Sequence, residues 1–160
     1  MRLTVRPAVV ADVARVQAIA AANATAPQWT VEQFAEILAP NDSAVTRALL
    51  VGVRGAAVVG FVVVSALTVV YPVEAELESI AVATEWQRQG VGQALLEAAV
   101  GWADSVGTTD LRLEVRMGNV SAKRLYERNG FDVEGIRRGY YANPVEDAVC
   151  MTRKLRSTEA

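Results

Sequence analysis

A glycine-rich segment, Gln87-Arg88-Gln89-Gly90-Val91-Gly92, has the residue types needed to bind a phosphorylated ligand. It follows a predicted strand, residues 74–82, and enters a predicted helix, residues 90–105. Backbone N–H groups in the first turn of a helix have no intrahelical partner, and the helix dipole adds partial positive charge there. Gly90 and Gly92 let an anion approach the backbone, and Arg88 adds a full charge. The segment therefore predicts a pyrophosphate site; the alternative is a tight turn that requires glycine for its shape alone.

Acid–base chemistry in this chain has to proceed without histidine, because the sequence contains none. Histidine triads, Cys-His pairs and histidine-ligated metal centres are excluded, which leaves carboxylates, Tyr, Lys, Cys or water. The run 110–116 alternates between apolar and charged residues, which places Glu114 on the polar face of a strand with Arg112 and Arg116. Glu114 is therefore a candidate base, acting directly or through a water. The alternative is a surface glutamate paired with one of these arginines.

Three glutamates, Glu74, Glu76 and Glu78, form a local acidic cluster. Such a cluster would favour a basic substrate, and the alternative is a solvated strand edge. Cys150, the only cysteine, lies in an apolar run and is expected in the core. It can form no intrachain disulfide, which fits a reducing compartment.

The composition is that of an ordinary globular protein. The 160 residues, 52% hydrophobic and 21% charged, suit one domain, expected over residues 1–155 with a frayed tail at 156–160. A formal charge of -2 argues against sequence-independent binding of nucleic acid. The apolar run 56–71 is rich in valine and interrupted by Gly60, which indicates a strand rather than a membrane span. No apolar signal core follows Met1, so the expected location is the cytoplasm.

The hydrophobic pattern predicts the elements that position these residues. Predicted strands cover residues 3–6, 46–53, 56–67, 74–82, 110–116, 133–136 and 148–155, and predicted helices cover residues 10–22, 31–38, 90–105 and 121–129. Thr30 and Gln33 have capping-box spacing, and Gly130 is placed to end the last helix with Phe131 in hydrophobic contact. The strand–helix–strand crossover requires parallel neighbours, so the sheet is mixed and helices cover its faces.

The glycine-rich segment resembles the Q/R-x-x-G-x-G/A coenzyme A motif of the GNAT superfamily of N-acetyltransferases. Asn119, Leu125-Tyr126 and Gly130-Phe131 resemble the next motif of that superfamily, and the order of elements agrees along almost the whole chain. The resemblance implies a GNAT fold of the α/β (α+β) class. That fold has a central mixed, largely antiparallel sheet of about seven strands, helices on both faces, and a splay between the two parallel central strands.

Further motifs narrow the resemblance to the RimI-type ribosomal-protein alanine N-acetyltransferases, which acetylate a protein's N-terminal amine. The matching motifs are Leu113-Glu114-Val115-Arg116, Leu125-Tyr126-Glu127, Arg137-Arg138-Gly139-Tyr140-Tyr141 and Glu146-Asp147-Ala148. Pro27-Gln28-Trp29 resembles their Phe-Pro-Trp stretch, although the register and the first residue differ. The resemblance places the base at Glu114. RimI-type sequences often carry an apolar residue at the position of Glu78, so Glu78 remains open as a second base.

Site roles follow from the resemblance. Tyr126 is the expected acid, because a phenol with a pKa of about 10 can protonate a departing thiolate with a pKa of about 8.5; the alternative is a helix tyrosine packed on the sheet. The residues expected to contact acetyl-CoA are Ile80, Ala81, Val82, Gln87, Arg88, Gln89, Gly90, Val91, Gly92, Asn119 and Tyr126. Asn119 is also the expected helix N-cap. The residues expected to contact the acceptor are Trp29, Glu78, Tyr140 and Tyr141, with both tyrosines in a loop before the last strand.

The expected activity is direct transfer of acetyl from acetyl-CoA, in a ternary complex and without a metal, to a protein N-terminal amine. The acceptor implied by the resemblance is the N-terminal alanine of a small-subunit ribosomal protein. Two alternatives are a GNAT enzyme acting on lysine side chains or a small-molecule amine, and a coenzyme A-binding module without turnover. We expect no nucleic-acid or membrane partner, and a monomer or weak dimer.

Overall fold

The computed structural model describes residues 2–23, 25–40 and 43–155; the tail predicted at 156–160 lies outside them. Two short 3₁₀ turns, Val10–Asp12 and Thr84–Trp86, accompany the helices and strands. In chain order the helices and strands are β1 Leu3–Pro7, α1 Val13–Ala21, α2 Val31–Leu38, β2 Val45–Arg54, β3 Ala57–Leu67, β4 Glu74–Val82, α3 Val91–Ser105, β5 Asp110–Arg116, α4 Val120–Arg128, β6 Asp132–Tyr141 and β7 Glu146–Lys154.

The seven strands form one mixed sheet in the order β1-β2-β3-β4-β5-β7-β6. Neighbouring strands are antiparallel except β4 and β5, which are parallel. These two pair only where residues 74–76 face residues 110–112, and beyond Glu76 and Arg112 they diverge. The predicted fold class and the splay between the parallel strands are confirmed.

Two apolar cores form, one on each face of the sheet. On one face, α1 and α2 pack over β2 and β3, with Phe34 and Phe61 in edge contact at 5.5 Å between ring centroids. On the other face, α3 supplies Leu95 and Leu96 against the apolar side of β5. The polar side of β5 lies on the α1/α2 face, beyond the part of the sheet that these helices cover. Glu114 therefore lies beside α1 and α2 rather than beneath them.

Local signals place the helix ends as predicted. Thr30 and Gln33 form the reciprocal capping box of α2, at 3.1 and 2.8 Å. The Asn119 side chain accepts a hydrogen bond from the Ala122 amide and caps α4. Gly130, with φ of +84°, follows that helix, and Phe131 is buried. This left-handed position favours glycine, which lacks the Cβ that would clash.

The last hairpin differs from the prediction. The strand expected at 133–136 is β6, which continues to Tyr141, so Tyr140 and Tyr141 lie at the end of a strand and not in a loop. Gly135 and Gly139 both lie within this strand. In the structure the register shifts near both glycines, and β6 continues because an edge strand tolerates such irregularities. No helix within the described residues is long and apolar enough to cross a membrane.

Candidate active site

A hollow of about 590 Å³ opens where β4 and β5 diverge, on the side of the sheet that α1 and α2 leave uncovered. Strands β2 to β7 all contribute to its lining. Glu76, Glu78 and Glu114 lie in it together with Arg137 and Cys150. The structure thus brings the two candidate bases into one cavity. Cys150 faces this cavity and is half-buried, so its expected place in the core is wrong.

Arg137 pairs with one of the two carboxylate oxygens of Glu114. Oε1 of Glu114 lies 3.6 Å from Nε of Arg137 on β6. Its Oε2 is shielded from solvent and has no hydrogen-bond partner. A buried acceptor left unpaired costs about 1–3 kcal/mol, so an N–H or O–H donor arriving at Oε2 would recover this energy. The alternative, in which Glu114 pairs with Arg112 or Arg116, is not found: Glu114 pairs with Arg137, and Arg116 pairs with Glu146.

Glu78, the alternative base, has both carboxylate oxygens in contact with an arginine. Arg47 on β2 contacts both its oxygens, with Nε 2.7 Å from Oε2 and Nη2 3.4 Å from Oε1. Glu78 lies where the pairing between β3 and β4 shifts register, since Val63 faces Ser79 and Val64 faces Leu77. Such a bulge redirects a side chain. Here the Glu78 side chain lies beside that of Arg47.

A second hollow of about 490 Å³ lies on the other side of this ion pair. Trp29, Arg47 and Glu78 line it, together with residues of α2. Trp29 packs against Phe34 at 5.4 Å between ring centroids. Arg47 and Glu78 line both hollows, so the expected acceptor residues Trp29 and Glu78 lie on a continuous surface with Glu114.

Tyr140 and Tyr141 lie beside Glu114. Their rings are in edge contact at 5.1 Å, and the Arg116 guanidinium lies 4.4 Å from the ring centre of Tyr141. The nearby carboxylate of Glu114, with loss of hydration, raises the pKa of Tyr140. Burial, followed by the charge of Glu114, raises the pKa of Tyr141 to about 12. Both phenols therefore stay protonated at neutral pH and can act as hydrogen-bond donors.

Glu76 is a further acidic residue in the lining of the hollow, with Glu74 and Glu134. Loss of hydration raises its pKa, and the charges of Glu78 and Glu114 raise it further. A cation entering the hollow would relieve this repulsion between like charges. The acidic cluster therefore lies inside a cavity and is more than a solvated strand edge.

The glycine-rich segment presents backbone N–H groups as predicted. Gly90 has φ of +83° and comes immediately before α3. The first intrahelical hydrogen bond of α3 runs from the Ala94 amide to the Gly90 carbonyl. Within the part of the chain that the structure describes, the backbone amides of residues 88–93 donate no hydrogen bond. A Cβ at Gly92 would lie 3.4 Å from Leu125. A Cβ at this position would therefore make ordinary contact with the Leu125 side chain, and the left-handed φ of Gly90 is what favours glycine in this segment.

The side chains of the glycine-rich segment differ in their surroundings: one is in the core, two bond within the turn and one is exposed. Val91 is buried in the core, so only its backbone faces outward. Gln87 donates to the Val82 carbonyl and Gln89 to the Glu85 carbonyl, which stabilise the turn itself. Arg88 is exposed, with φ of +61°.

At the end of β4, the backbone N–H and C=O groups of every second residue point into the gap between β4 and β5. Ala83 donates to the Val59 carbonyl, so by strand alternation Ala81 also bonds toward β3, whereas Ile80 and Val82 point away from it. The splay leaves this side of β4 without a neighbouring strand. An extended ligand can therefore hydrogen-bond there like an added strand.

Tyr126 on α4 is buried against Phe131, at 5.7 Å between ring centroids. Burial raises the pKa of Tyr126 far above its ordinary value, and the charge of Tyr141 adds to the shift. Its hydroxyl makes no hydrogen bond to any residue in the described ranges. Tyr126 is thus packed on the sheet and protonated at neutral pH, so its hydroxyl can donate a hydrogen bond to a partner.

Sequence reasoning missed the arginine partners of both carboxylates, Arg47 and Arg137. Arg137 belongs to a motif noted in the sequence, but its contact with Glu114 depends on a cross-strand geometry that spacing alone does not reveal. Among the described residues, no group of three or more Cys, Asp or Glu side chains could hold a metal ion.

The chain belongs to the acetyltransferase (GNAT) family, whose model matches residues 15–131. A [ribosomal protein bS18]-alanine N-acetyltransferase of Escherichia coli K12 is 46% identical over 88 residues, which cover 54% of this chain and 60% of that protein. The alignment thus spans less than two thirds of the curated relative.

Two solved structures resemble the whole chain. The ribosomal-protein-S18-alanine N-acetyltransferase from Escherichia coli superposes with a TM-score of 0.79 and 28% identity, covering 99% of both chains. Ard1 from Thermoplasma volcanium superposes with a TM-score of 0.82 and 27% identity, covering 98% of this chain and 100% of that one. These similarities agree with the motifs of the glycine-rich segment and the Tyr126 helix.

Proposed function

We propose that this protein transfers an acetyl group from acetyl-CoA to the α-amine of a protein N-terminus. The observation that carries the proposal is the buried Oε2 of Glu114, which lacks a hydrogen-bond donor and lies in the hollow at the splay. An α-amine supplies N–H donors at such an oxygen. It also has to lose a proton before it can attack a thioester, because its pKa is near 8.

The glycine-rich segment fits the diphosphate of acetyl-CoA. Free amides at Gly90, Val91 and Gly92, together with Arg88, would bind the phosphates at the start of α3. The backbone of Ile80 and Val82 would bind the extended pantetheine arm, with Ala81 completing the strand. Gln87 and Gln89 would hold the turn in shape. The side-chain nitrogen of Asn119 remains available to the ligand, because only its oxygen is used in the cap.

In the proposed mechanism, Glu114 receives the proton of the incoming amine, directly or through a water. A β4 N–H at the splay would stabilise the charge that develops on the carbonyl oxygen of the acetyl group. The buried Tyr126 would donate a hydrogen bond, and then its proton, to the departing sulfur. Acetyl-CoA supplies the activated thioester, and transfer is direct within a ternary complex.

The proposed acceptor is the N-terminal alanine of a basic ribosomal protein. The acidic lining of the hollow would attract a basic N-terminal segment. Trp29 and Glu78 would contact that segment on one side and Tyr140 and Tyr141 on the other. The Escherichia coli relatives, by name, act on the alanine of ribosomal protein bS18.

Matched synthetic peptides test this proposal. One peptide begins with a free alanine, a second has that amine blocked, and both carry an internal lysine. Mass spectrometry after incubation with acetyl-CoA is expected to show acetylation of the free N-terminus only. Acetylation of the lysine alone would instead support the lysine or small-amine enzyme. Binding of acetyl-CoA without release of free coenzyme A from a broad panel of amines would support a binding module.

A further inference from the structure

Arg137 reaches Glu114 across an intervening strand. Glu114 on β5 lies level with Cys150 on β7, and Cys150 lies level with Gly135 on β6. Arg137 lies two residues beyond Gly135 on the same strand. A Cβ added at Gly135 would meet nothing within 4 Å, so this position leaves open space over β7. The Arg137 side chain extends toward Glu114, and its Nε lies 3.6 Å from Oε1.

We propose that Arg137 is a positioning residue for the acetyl-transfer reaction, which holds Glu114 by Oε1 so that Oε2 is the oxygen presented to the acceptor amine. This inference rests on the proposed function. Oε1 has an arginine partner, whereas Oε2 is shielded from solvent and has none. The two oxygens of one carboxylate therefore have different roles, one in holding the side chain and one in receiving the proton.

The surroundings of Arg137 support this division. Its guanidinium lies 5.6 Å from the ring centre of Tyr140, so the aromatic ring limits its movement on one side. The Arg137 side chain is 61% exposed, which makes the ion pair weak while the hollow contains water. A bound peptide would exclude that water and strengthen the attraction. Glu114 would therefore be fixed most firmly when the acceptor is in place.

Kinetics of matched variants test the proposal. Arg137→Gln is expected to lower kcat about 10- to 100-fold by misplacing the base, with acetyl-CoA affinity unchanged. Arg137→Lys, which keeps the charge, is expected to restore most of kcat. Arg138→Gln, the exposed neighbouring arginine, is the control and should match the wild type. In the Glu114→Gln background, Arg137→Gln is expected to change kcat by less than about twofold, because the group it positions is gone.

A change in peptide KM alone, or an equal loss of kcat in the Glu114→Gln background, would overturn the proposal. Crystal structures of Arg137→Gln and Arg137→Lys give a measurement that does not depend on activity. Glu114 is expected to leave its position in the first variant and keep it in the second; an unmoved Glu114 in Arg137→Gln contradicts positioning. If the wild type acetylates no amine, the proposed function fails, and these structures still decide whether Arg137 holds Glu114 in place.

Discussion

Arg47 reaches across strand β3 to Glu78, and its Nε lies 2.7 Å from the Glu78 Oε2. Glu114, in the same hollow, keeps one oxygen without a partner. Because a base needs an available lone pair, this difference favours Glu114 over Glu78 for receiving the acceptor's proton.

Neutral variants of the two glutamates should separate their roles. Glu114→Gln is expected to lower kcat by about 10²- to 10⁴-fold, the usual contribution of a general base. Glu78→Gln removes the charge paired with Arg47 and is expected to raise the peptide KM while kcat stays near the wild-type value. Steady-state kinetics with a free-alanine peptide measure both effects. If Glu78→Gln instead abolishes turnover and Glu114→Gln does not, the base is Glu78.

Removing the hydroxyl of Tyr126 should affect chemistry and not binding. Tyr126→Phe is expected to lower kcat by about 10²-fold, because the departing sulfur loses its proton donor. The hydroxyl has no hydrogen bond in the described chain, so thermal stability should be retained. Calorimetry is expected to show unchanged acetyl-CoA affinity. The control is Tyr71→Phe, a fully exposed tyrosine in the loop between β3 and β4. A wild-type rate in Tyr126→Phe would remove this residue from the mechanism.

A bulky side chain at Gly92 should block the cofactor site. Gly92→Trp is expected to weaken acetyl-CoA binding at least tenfold, or about 1.4 kcal/mol, because the new side chain occupies the space beside the free amides. Gly101→Trp places the same side chain on the same helix, where a Cβ meets nothing within 4 Å. Titration calorimetry should show normal binding in that control. Equal affinity in both variants would mean that the diphosphate binds elsewhere.

Asp12 should make the stability of the fold depend on pH. It accepts hydrogen bonds from Arg6 at 2.7 and 3.1 Å and from the Val9 amide at 2.8 Å. The hydrogen bond from Arg6 is the main cause that lowers the pKa of Asp12 in the folded protein. The stabilisation is therefore complete above the ordinary aspartate pKa of about 3.9, and it is lost as the pH falls through the lowered value.

Asp12→Asn is accordingly expected to lower the free energy of unfolding by about 1–3 kcal/mol at pH 7. The difference from the wild type should shrink as the pH falls below the ordinary aspartate pKa of about 3.9 and through the lowered value of Asp12. Urea denaturation at neutral and at low pH measures it, with Asp132→Asn at an exposed position as the control. A difference that persists unchanged at low pH would show that the charge of Asp12 is not its source.

Much of the fold could be predicted because its signals are local. Alternation placed Glu114 on the polar face of β5, and the spacing of Thr30 and Gln33 marked the start of α2. Glycine at position 90 indicated the turn that exposes the amides of α3.

The errors arose where distant strands decide the outcome. Cys150 has apolar neighbours in sequence, yet the β5–β7 register sets it opposite Glu114 on the open side of the sheet. Tyr140 was predicted in a loop, but it belongs to a strand because β7 pairs with Arg137 and Tyr141 on either side of it. Arg47 and Arg137 each contact a glutamate on the far side of an intervening strand, and no local sequence pattern encodes such a contact.

The short ladder between β4 and β5 has a mechanical consequence. Only three residue pairs join the β1–β4 half of the sheet to the β5–β7 half at this seam. Each half is joined internally by longer ladders, with ten residue pairs between β2 and β3 and seven between β5 and β7. A change of angle at the short ladder would widen or narrow the gap and leave those longer ladders intact. Ile80 and Glu114, on opposite sides of the gap, would then change their separation.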